Sequence, residues 1–184
     1  MAEVGILRED SNVELIEGEI MEKHPVGKRR FTAHKFLRMG EAGILHEDDC
    51  VELIEGEILE IAAIGNRHLA CVNRLTRLFI ERLGGAVVVQ NPVRISERSE
   101  PEPDVTLFRP RADFYAGKRP APEDVLLLRE VSDTTLGFDR EVKLPLYARA
   151  SIPEVWIVEL VNERVRAYSR PRTRPMETPV RQEW

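Results

Sequence analysis

Alternation of apolar and acidic residues is the first pattern in this chain of 184 residues. It runs through residues 13–20 and again through residues 51–58. Each run predicts a β-hairpin around a Glu-Gly turn, where glycine can supply a positive φ. Further strands are predicted where β-branched and other apolar residues cluster, at residues 86–95, 104–108, 125–131 and 153–160. An alternating run at residues 164–169 predicts the return strand of a C-terminal hairpin.

Helical periodicity is clearest in residues 66–83, where apolar residues recur every three or four positions. Gly84-Gly85 is a suitable end for this helix. A shorter helix is predicted within residues 29–39. Residues 139–149 also have a helical pattern, in which Pro145 is expected to kink the helix or shift its start.

The two alternating runs belong to an internal repeat. Residues 5–27 match residues 43–65 at a constant offset of 38 residues, and the core VELIEGEI of residues 13–20 recurs unchanged at residues 51–58. Two copies are too few for a solenoid. The first copy therefore either adds strands to the edge of a sheet or is a duplicated extension that pairs with another subunit.

Hairpins at both ends and alternating strands and helices between them predict an α+β (or α/β-like) fold, with a mixed β-sheet flanked by helices. We divide the chain into a duplicated hairpin extension at residues 1–28, a main domain at residues 29–170 and a tail at residues 171–184. The tail is rich in proline and arginine, so we expect it to be extended or disordered.

The composition is that of a soluble globular protein, with 42% hydrophobic and 32% charged residues. No apolar run reaches the roughly 18 residues of a membrane-spanning helix, and the N-terminus lacks the pattern of a secretory signal. The two cysteines, Cys50 and Cys71, have neither metal-site spacing nor a disulfide framework. We therefore expect a cytoplasmic protein that has no membrane partner.

The net charge of −5 limits how the chain could contact nucleic acid. Proteins that bind nucleic acid over a broad surface are usually basic, so any contact with DNA must be local here. A site rich in acids could also be neutralised by a bound divalent cation.

Two acids at the ends of apolar runs, Asp104 and Glu130, are the main candidates for chemistry. Carboxylates of this kind suit Mg²⁺ or Mn²⁺, which would lower the pKa of a bound water and offset charge on a phosphate. Lys143 could orient that water or stabilise the charge that develops at phosphorus. Acids at strand ends are as often solvated or salt-bridged, and a helical lysine is usually solvated, so the spacing leaves both interpretations open.

Three further residues are weaker candidates. Glu52, on the second hairpin, could reach the same cation, although its alternation with apolar residues is typical of the wet face of a hairpin. Gln90 is a polar residue on a strand that otherwise has a buried pattern. His68 flanks the apolar stripe at the start of its helix, where a packing role is the simpler interpretation.

These residues form part of a larger set that resembles, in order and spacing, the Uma family of restriction endonucleases in the PD-(D/E)XK nuclease superfamily. The resemblance covers about residues 29–170. The matching segments are Arg30-Phe31-Thr32, Glu41-Ala42-Gly43-Ile44-Leu45, residues 51–58, His68, Pro103-Asp104-Val105, Glu130-Val131-Ser132, Asp139, Lys143, Tyr147-Ala148-Arg149-Ala150 and Ile152-Pro153-Glu154-Val155-Trp156.

The resemblance implies a central mixed sheet with flanking helices and a Mg²⁺-dependent site that cleaves DNA. Asp104 then matches the aspartate of the Pro-Asp motif, Glu130 matches the acid of the (D/E)XK element, and Glu52 matches an early acid. Ser132 stands where the lysine of that element usually lies, and the resemblance implies that Lys143 supplies it from the next helix. Residues 1–28 fall outside the family pattern, and the segment after the last hairpin is short.

Two hypotheses follow. The first is a Mg²⁺-dependent (or Mn²⁺-dependent) endonuclease that hydrolyses DNA, or RNA, and that uses Asp104, Glu130, Lys143 and Glu52. The second is a non-catalytic binding or assembly module of the same fold. In both, the duplicated hairpin makes a homodimer a natural expectation.

Overall fold

The computed structural model describes residues 13–16, 18–23, 26–61, 64–83, 87–169 and 178–179. The described residues fall into two compact units. The first contains those up to Ile61 together with Ser96–Glu100, and the second contains the remainder. Contacts therefore divide the chain at residue 61, after the second hairpin, whereas the extension predicted from the repeat ends at residue 28.

The repeated sequences of the first unit fold into repeated hairpins. Strands β1 (Val13–Ile16), β2 (Glu19–Lys23) and β3 (Val26–Lys28) form an antiparallel sheet in that order, and β4 (Val51–Ile54) pairs with β5 (Glu57–Glu60). The register is the same in both copies, since Val13 lies opposite Glu22 and Val51 lies opposite Glu60. Each turn has a glycine with positive φ, +83° at Gly18 and +87° at Gly56, as the Glu-Gly pattern predicts.

Helix α1 (Ala33–Glu41) joins the two hairpins and confirms the helix predicted there. Its N-cap is Thr32, whose side-chain oxygen accepts a hydrogen bond from the Lys35 amide. The core of the first unit combines buried residues of the helix, the segment before it and β4, with partly buried apolar side chains around them. Its members are Phe31, Ala33, Met39 and Leu53, with Ile20, Phe36, Leu45 and Ile58 packed against them.

In the second unit, the described strands form one sheet in the order β11-β10-β9-β8-β7-β6. These strands are β6 (Val87–Val89), β7 (Val105–Phe108), β8 (Val125–Ser132), β9 (Glu154–Glu159), β10 (Arg164–Ser169) and β11 (Thr178–Pro179). Strands β8 and β9 are parallel and the other described neighbours are antiparallel, so the sheet is mixed. The predicted α+β fold is therefore confirmed.

Helix α2 (Asn66–Leu83) packs on this sheet through part of the apolar stripe predicted from the sequence, while Leu69 and Leu78 of that stripe are exposed. Val72 of the helix is buried with Val105, Val131 and Val158 of three strands. The predicted helix end at Gly84-Gly85 lies outside the described residues. Among those that are described, no helix is both long and apolar enough to cross a membrane.

The crossover between the parallel strands β8 and β9 contains a wide helical turn. It consists of α3 (Leu136–Phe138), a π-helical segment (Asp139–Lys143) and α4 (Leu144–Arg149). The Leu144 amide donates to the Asp139 carbonyl, five residues earlier. Pro145 follows directly and has no N–H to continue a regular ladder, so the irregularity predicted from this proline takes the form of a π turn before it.

Two predicted segments differ from the structure in extent. The strand predicted at residues 86–95 is shorter, since β6 ends at Val89, Gln90 has a φ of +47°, and Pro92 lacks a donor for a ladder. In the predicted tail, Thr178–Pro179 pairs with β10 as β11. The remainder of residues 171–184 lies outside the described residues.

Candidate active site

Adjacent strands bring Asp104 and Glu130 together. Val105 pairs with Arg129 across β7 and β8, which places Asp104, just before β7, next to Glu130 on β8. One Asp104 carboxylate oxygen, Oδ2, accepts a hydrogen bond from the Val131 amide at 2.7 Å. The main chain of β8 therefore positions the carboxylate of Asp104, which precedes β7.

Glu130 is buried, and its Oε1 atom receives two groups from the crossover helix. The Tyr147 hydroxyl donates to it at 2.5 Å, and Lys143 Nζ lies 3.5 Å from it. Lys143 is buried as well and is only 6% exposed. The acid and the lysine thus form a close pair that is shielded from bulk solvent, and the solvated interpretation of Lys143 is wrong.

The electrostatics of the cluster favour a cation. Burial raises the pKa of Glu130 well above its ordinary value, and the nearby carboxylates of Asp139 and Asp104 raise it further. Lys143 and the Tyr147 hydroxyl act in the opposite direction, but burial is the largest influence on this pKa. Ionised Glu130 is therefore costly in the absence of further positive charge.

His68, at the start of α2, contacts the second oxygen of Asp104. Its Nε2 atom lies 3.0 Å from Asp104 Oδ1, and this hydrogen bond is the main cause of a raised His68 pKa. The other ring nitrogen, Nδ1, is buried and has no hydrogen-bond partner within the described ranges. His68 is therefore placed to orient Asp104, and packing alone does not account for it.

Asp139 was not predicted as a site residue, although it belongs to the set of matching segments. Its Oδ2 atom accepts hydrogen bonds from Ser132 Oγ at 2.6 Å and from Thr135 Oγ1 at 2.7 Å. Ser132, in the position where a lysine was expected, thus connects β8 to the first residue of the π turn. That turn ends at Lys143, so the two hydroxyls help to fix the start of the turn that carries Lys143.

Tyr147 is the second residue that sequence reasoning missed as a site residue, although it too belongs to the matching segments. The ring is buried, but its hydroxyl contacts Glu130. A signal was present in the spacing, because Tyr147 follows Lys143 by four residues and such pairs share one helix face.

Two further candidates, Gln90 and Glu52, come from other elements of the chain. Gln90 follows β6, and its backbone amide donates to the Asp104 carbonyl at 3.2 Å. Glu52 is buried on β4 in the first unit, so the wet-face interpretation of this residue is wrong. A role for either side chain in the site stays a prediction.

The donor set fits a hard divalent cation. Asp104 and Glu130 offer carboxylate oxygens, and Mg²⁺ typically takes one or two protein carboxylates and keeps several waters. Within the described part of the chain, no group of three or more His, Cys, Asp or Glu side chains is arranged to hold a metal. The residues present therefore suit a cation that completes its shell with water and phosphate, and they do not suit a closed structural site.

Comparison with protein families decides how this chain is related to others. A family model described as "Putative restriction endonuclease" (Uma2) matches residues 33–183. The chain belongs to this family. The resemblance inferred from the residue pattern is confirmed, and the chain is a member of a nuclease family. The match excludes the first hairpin and extends past residue 170 into the predicted tail.

A solved structure supports the fold of this Uma2 family member. It is the crystal structure of "a putative nuclease belonging to DUF820" from Anabaena variabilis ATCC 29413, with a TM-score of 0.60 and 13% sequence identity. The alignment covers 82% of this chain and 85% of that chain. At this identity the likeness shows the fold alone. No curated protein matches the chain.

Proposed function

We propose that this Uma2 family member is an endonuclease that depends on Mg²⁺ or Mn²⁺ and hydrolyses phosphodiester bonds of DNA. The observation that carries the proposal is the buried pair of Glu130 and Lys143 beside Asp104. Burying a lysine beside two acids costs desolvation free energy. Titratable groups in such perturbed environments cluster at functional sites.

Asp104 and Glu130 would hold the cation. When bound, the cation supplies a water of lowered pKa and offsets negative charge on the phosphate. Burial and the neighbouring acids disfavour the ionised form of Glu130. The positive charge of a bound cation would favour that ionised form, and the neighbouring acids would attract the cation.

The other residues of the cluster have roles that follow from their contacts. The Lys143 ammonium would stabilise charge on the phosphate or orient the attacking water. Tyr147 holds Oε1 of Glu130, while His68 and the Val131 amide hold the two oxygens of Asp104.

DNA is the substrate that we favour, and contact with it would be local because the chain carries a net charge of −5. RNA is the competing substrate. Supercoiled plasmid and a single-stranded RNA of mixed sequence, incubated in parallel with the same protein, distinguish them. Faster cleavage of the plasmid supports the proposal, and cleavage of RNA alone contradicts it.

The central test is plasmid nicking with Mg²⁺, Mn²⁺, Ca²⁺ or EDTA. We expect nicking with Mg²⁺ or Mn²⁺ and none with EDTA. Asp104→Asn and Lys143→Met should each lower the rate by at least about 100-fold. Lys118→Met is the matched control, because Lys118 is exposed. Nicking that survives both site substitutions would contradict the assignment.

A further inference from the structure

The two copies of the hairpin have different surroundings although their core sequences are identical. In the second copy, the outer edge of β4 is covered by Ser96–Glu100 of the first unit. The Glu100 amide donates to the Leu53 carbonyl at 2.7 Å, and the Gly56 amide donates to the Arg98 carbonyl at 2.7 Å. The edge of this sequence is therefore able to pair with another segment, and in β4 it does so through an isolated antiparallel bridge between Leu53 and Glu100.

The matching edge of β1 lacks such a partner among the described residues. The Arg29 amide donates to the Ile20 carbonyl, so the backbone of Ile20 points towards the β3 side of the sheet. Leu15 lies opposite Ile20, so its N–H and C=O point to the outer side of β1. No described residue bonds to either group, and β1 is the terminal strand of its sheet.

The two turn glycines show the same contrast. A Cβ atom added at Gly56 would lie 2.8 Å from Arg30 Cβ and 3.1 Å from the Phe31 carbonyl oxygen. At Gly18 it would meet nothing within 4 Å in the described part of the chain. The second hairpin is thus embedded in its unit, whereas no described residue crowds the turn glycine of the first hairpin.

The sheet that carries β1 is nevertheless fixed to a folded unit. Ile20 of β2 packs against the buried cluster that contains Phe31 and Leu53. The Arg29 amide adds a main-chain bond to the same strand. The outer edge of β1 is therefore presented by a packed sheet, and such edges are templates for pairing with another chain.

We propose that the outer edge of β1 is a dimer interface, at which β1 of one copy pairs antiparallel with β1 of a second copy. Ser96–Glu100 occurs once in each chain and already covers β4, and no other described segment covers β1. A second β1 supplies the missing donors and acceptors reciprocally. A two-fold axis closes the pair and leaves neither edge open.

The positions of the glutamates along β1 are compatible with pairing to a second β1. In a register centred on Leu15, the two Leu15 residues lie opposite one another, and Glu14 of each copy lies opposite Ile16 of the other. No glutamate within β1 is then opposite a glutamate, which is the arrangement that destabilises paired strands. The interface lies in the first unit and does not depend on the proposed nuclease activity.

The first test removes the outward-facing amide. Leu15→Pro deletes an N–H that points away from β2, and proline is tolerated at such an edge position. Light scattering and sedimentation of the full chain should show a dimer that Leu15→Pro weakens at least about tenfold. A monomeric wild-type protein, or a dimer unchanged by Leu15→Pro, would overturn the proposal.

Two variants control for other causes. Lys28→Pro removes an outward N–H at the opposite edge of the same sheet, with loss of a surface ion pair between Lys28 and Glu19, and should leave the dimer intact. Leu15→Ala keeps the edge amide and should also leave it intact. Dissociation in Lys28→Pro or Leu15→Ala would count against pairing through the β1 backbone.

The second test fixes the register. In a background of Cys50→Ser and Cys71→Ala, Leu15→Cys should form a disulfide-linked dimer under mild oxidation. Residues directly opposite in an antiparallel pair have Cα atoms about 4.5–5.5 Å apart, within the range of a disulfide. Lys28→Cys should remain uncoupled in the same background. Cross-linking through Lys28→Cys, or none through Leu15→Cys, would refute the β1 pairing.

Discussion

Lys143 Nζ lies 3.5 Å from Glu130 Oε1, and the two side chains are only 7% and 4% exposed. Glu130 comes from a strand of the mixed sheet, and Lys143 ends the π turn in the crossover that follows. The contact therefore depends on the positions of both the strand and the π turn. Its charge balance also sets how the protein should respond to pH.

Lys143→Met should make stability continue to fall to a higher pH than in the wild type. Burial raises the pKa of Glu130, and Lys143 opposes that rise, so the substitution raises the pKa further. The native state then keeps, over a wider pH range than in the wild type, a proton that the unfolded chain releases. Its stability is lost as the pH rises towards the folded pKa, by up to about 1.4 kcal/mol per pH unit.

Urea unfolding at pH 6, 7, 8 and 9 measures this effect. Lys118→Met, at an exposed lysine, should follow the wild-type profile. Parallel profiles for Lys143→Met and the wild type would contradict the expected effect of Lys143 on the pKa of Glu130.

Tyr147→Phe should destabilise the protein and slow plasmid nicking. The substitution removes the hydroxyl that donates to Glu130 Oε1 and leaves a buried acceptor with one partner fewer, at a cost of about 1–3 kcal/mol. The same substitution at Tyr115 is a matched control, because that hydroxyl donates to the Arg109 carbonyl at the surface. Tyr115→Phe should cost less than about 1 kcal/mol and leave nicking unchanged. Equal effects at the two tyrosines would argue against a role for Tyr147 in the site.

His68→Gln should destabilise the protein more at pH 5.5 than at pH 9. The hydrogen bond to Asp104 raises the pKa of His68, so the native state favours the charged imidazole. That contribution is fully present below the ordinary histidine value of about 6.5 and is lost as the pH rises through the folded pKa. Glutamine can still donate a hydrogen bond to Asp104, so the comparison isolates the charge.

The expected difference between the two pH values is about 1 kcal/mol in the free energy of unfolding. His34→Gln, at an exposed histidine, provides the control and should show no such difference. A pH-independent effect of His68→Gln would mean that packing, and not charge, explains this residue.

Arg129→Met should change stability by less than about 1 kcal/mol, whereas Arg129→Ala should cost about 3 kcal/mol. The guanidinium is buried between Phe79 and Trp156, with its central carbon 3.3 Å and 4.1 Å from the two ring centroids. Burial lowers the pKa of Arg129 to about 9, and Nε and Nη2 have no hydrogen-bond partner in the described part of the chain.

Methionine would lose the cation–π contacts, worth about 2 kcal/mol when desolvated, but it would also remove two unpaired donors. Alanine would leave a cavity in addition. Thermal and urea unfolding of the two variants compare these effects. If methionine is as damaging as alanine, the charge between the rings is the stabilising feature.

Several parts of the fold could be predicted because they depend on local pattern. The repeated VELIEGEI core predicts two equal hairpins, and they form with equal register. The stripe in residues 66–83 predicts α2, since only one helix face can be buried against a sheet. The sequence did not predict a π turn. Pro145 indicates that the regular α-helical hydrogen bonds are interrupted, but not which irregular conformation replaces them.

The sequence predicts part of the candidate site, because some of its residues have positions that can be recognised from local pattern. Asp104, Glu130 and Lys143 have recognisable positions at strand ends and on a helix. Tyr147 and Asp139 do not, because their roles depend on which buried atom each one meets. A tyrosine hydroxyl or an aspartate on a helix has the same sequence pattern whether it faces solvent or another acid.

Periodicity and the order of residue types are enough to predict the two hairpins, the main helix, most of the strands and the family of this protein. The fold in three dimensions was needed to show that Lys143 is buried against Glu130, that His68 contacts Asp104, and that one hairpin copy is covered while its twin has an open edge among the described residues. These are contacts between distant segments. Their existence depends on how strands and helices pack, and packing is not encoded in any single stretch of the chain.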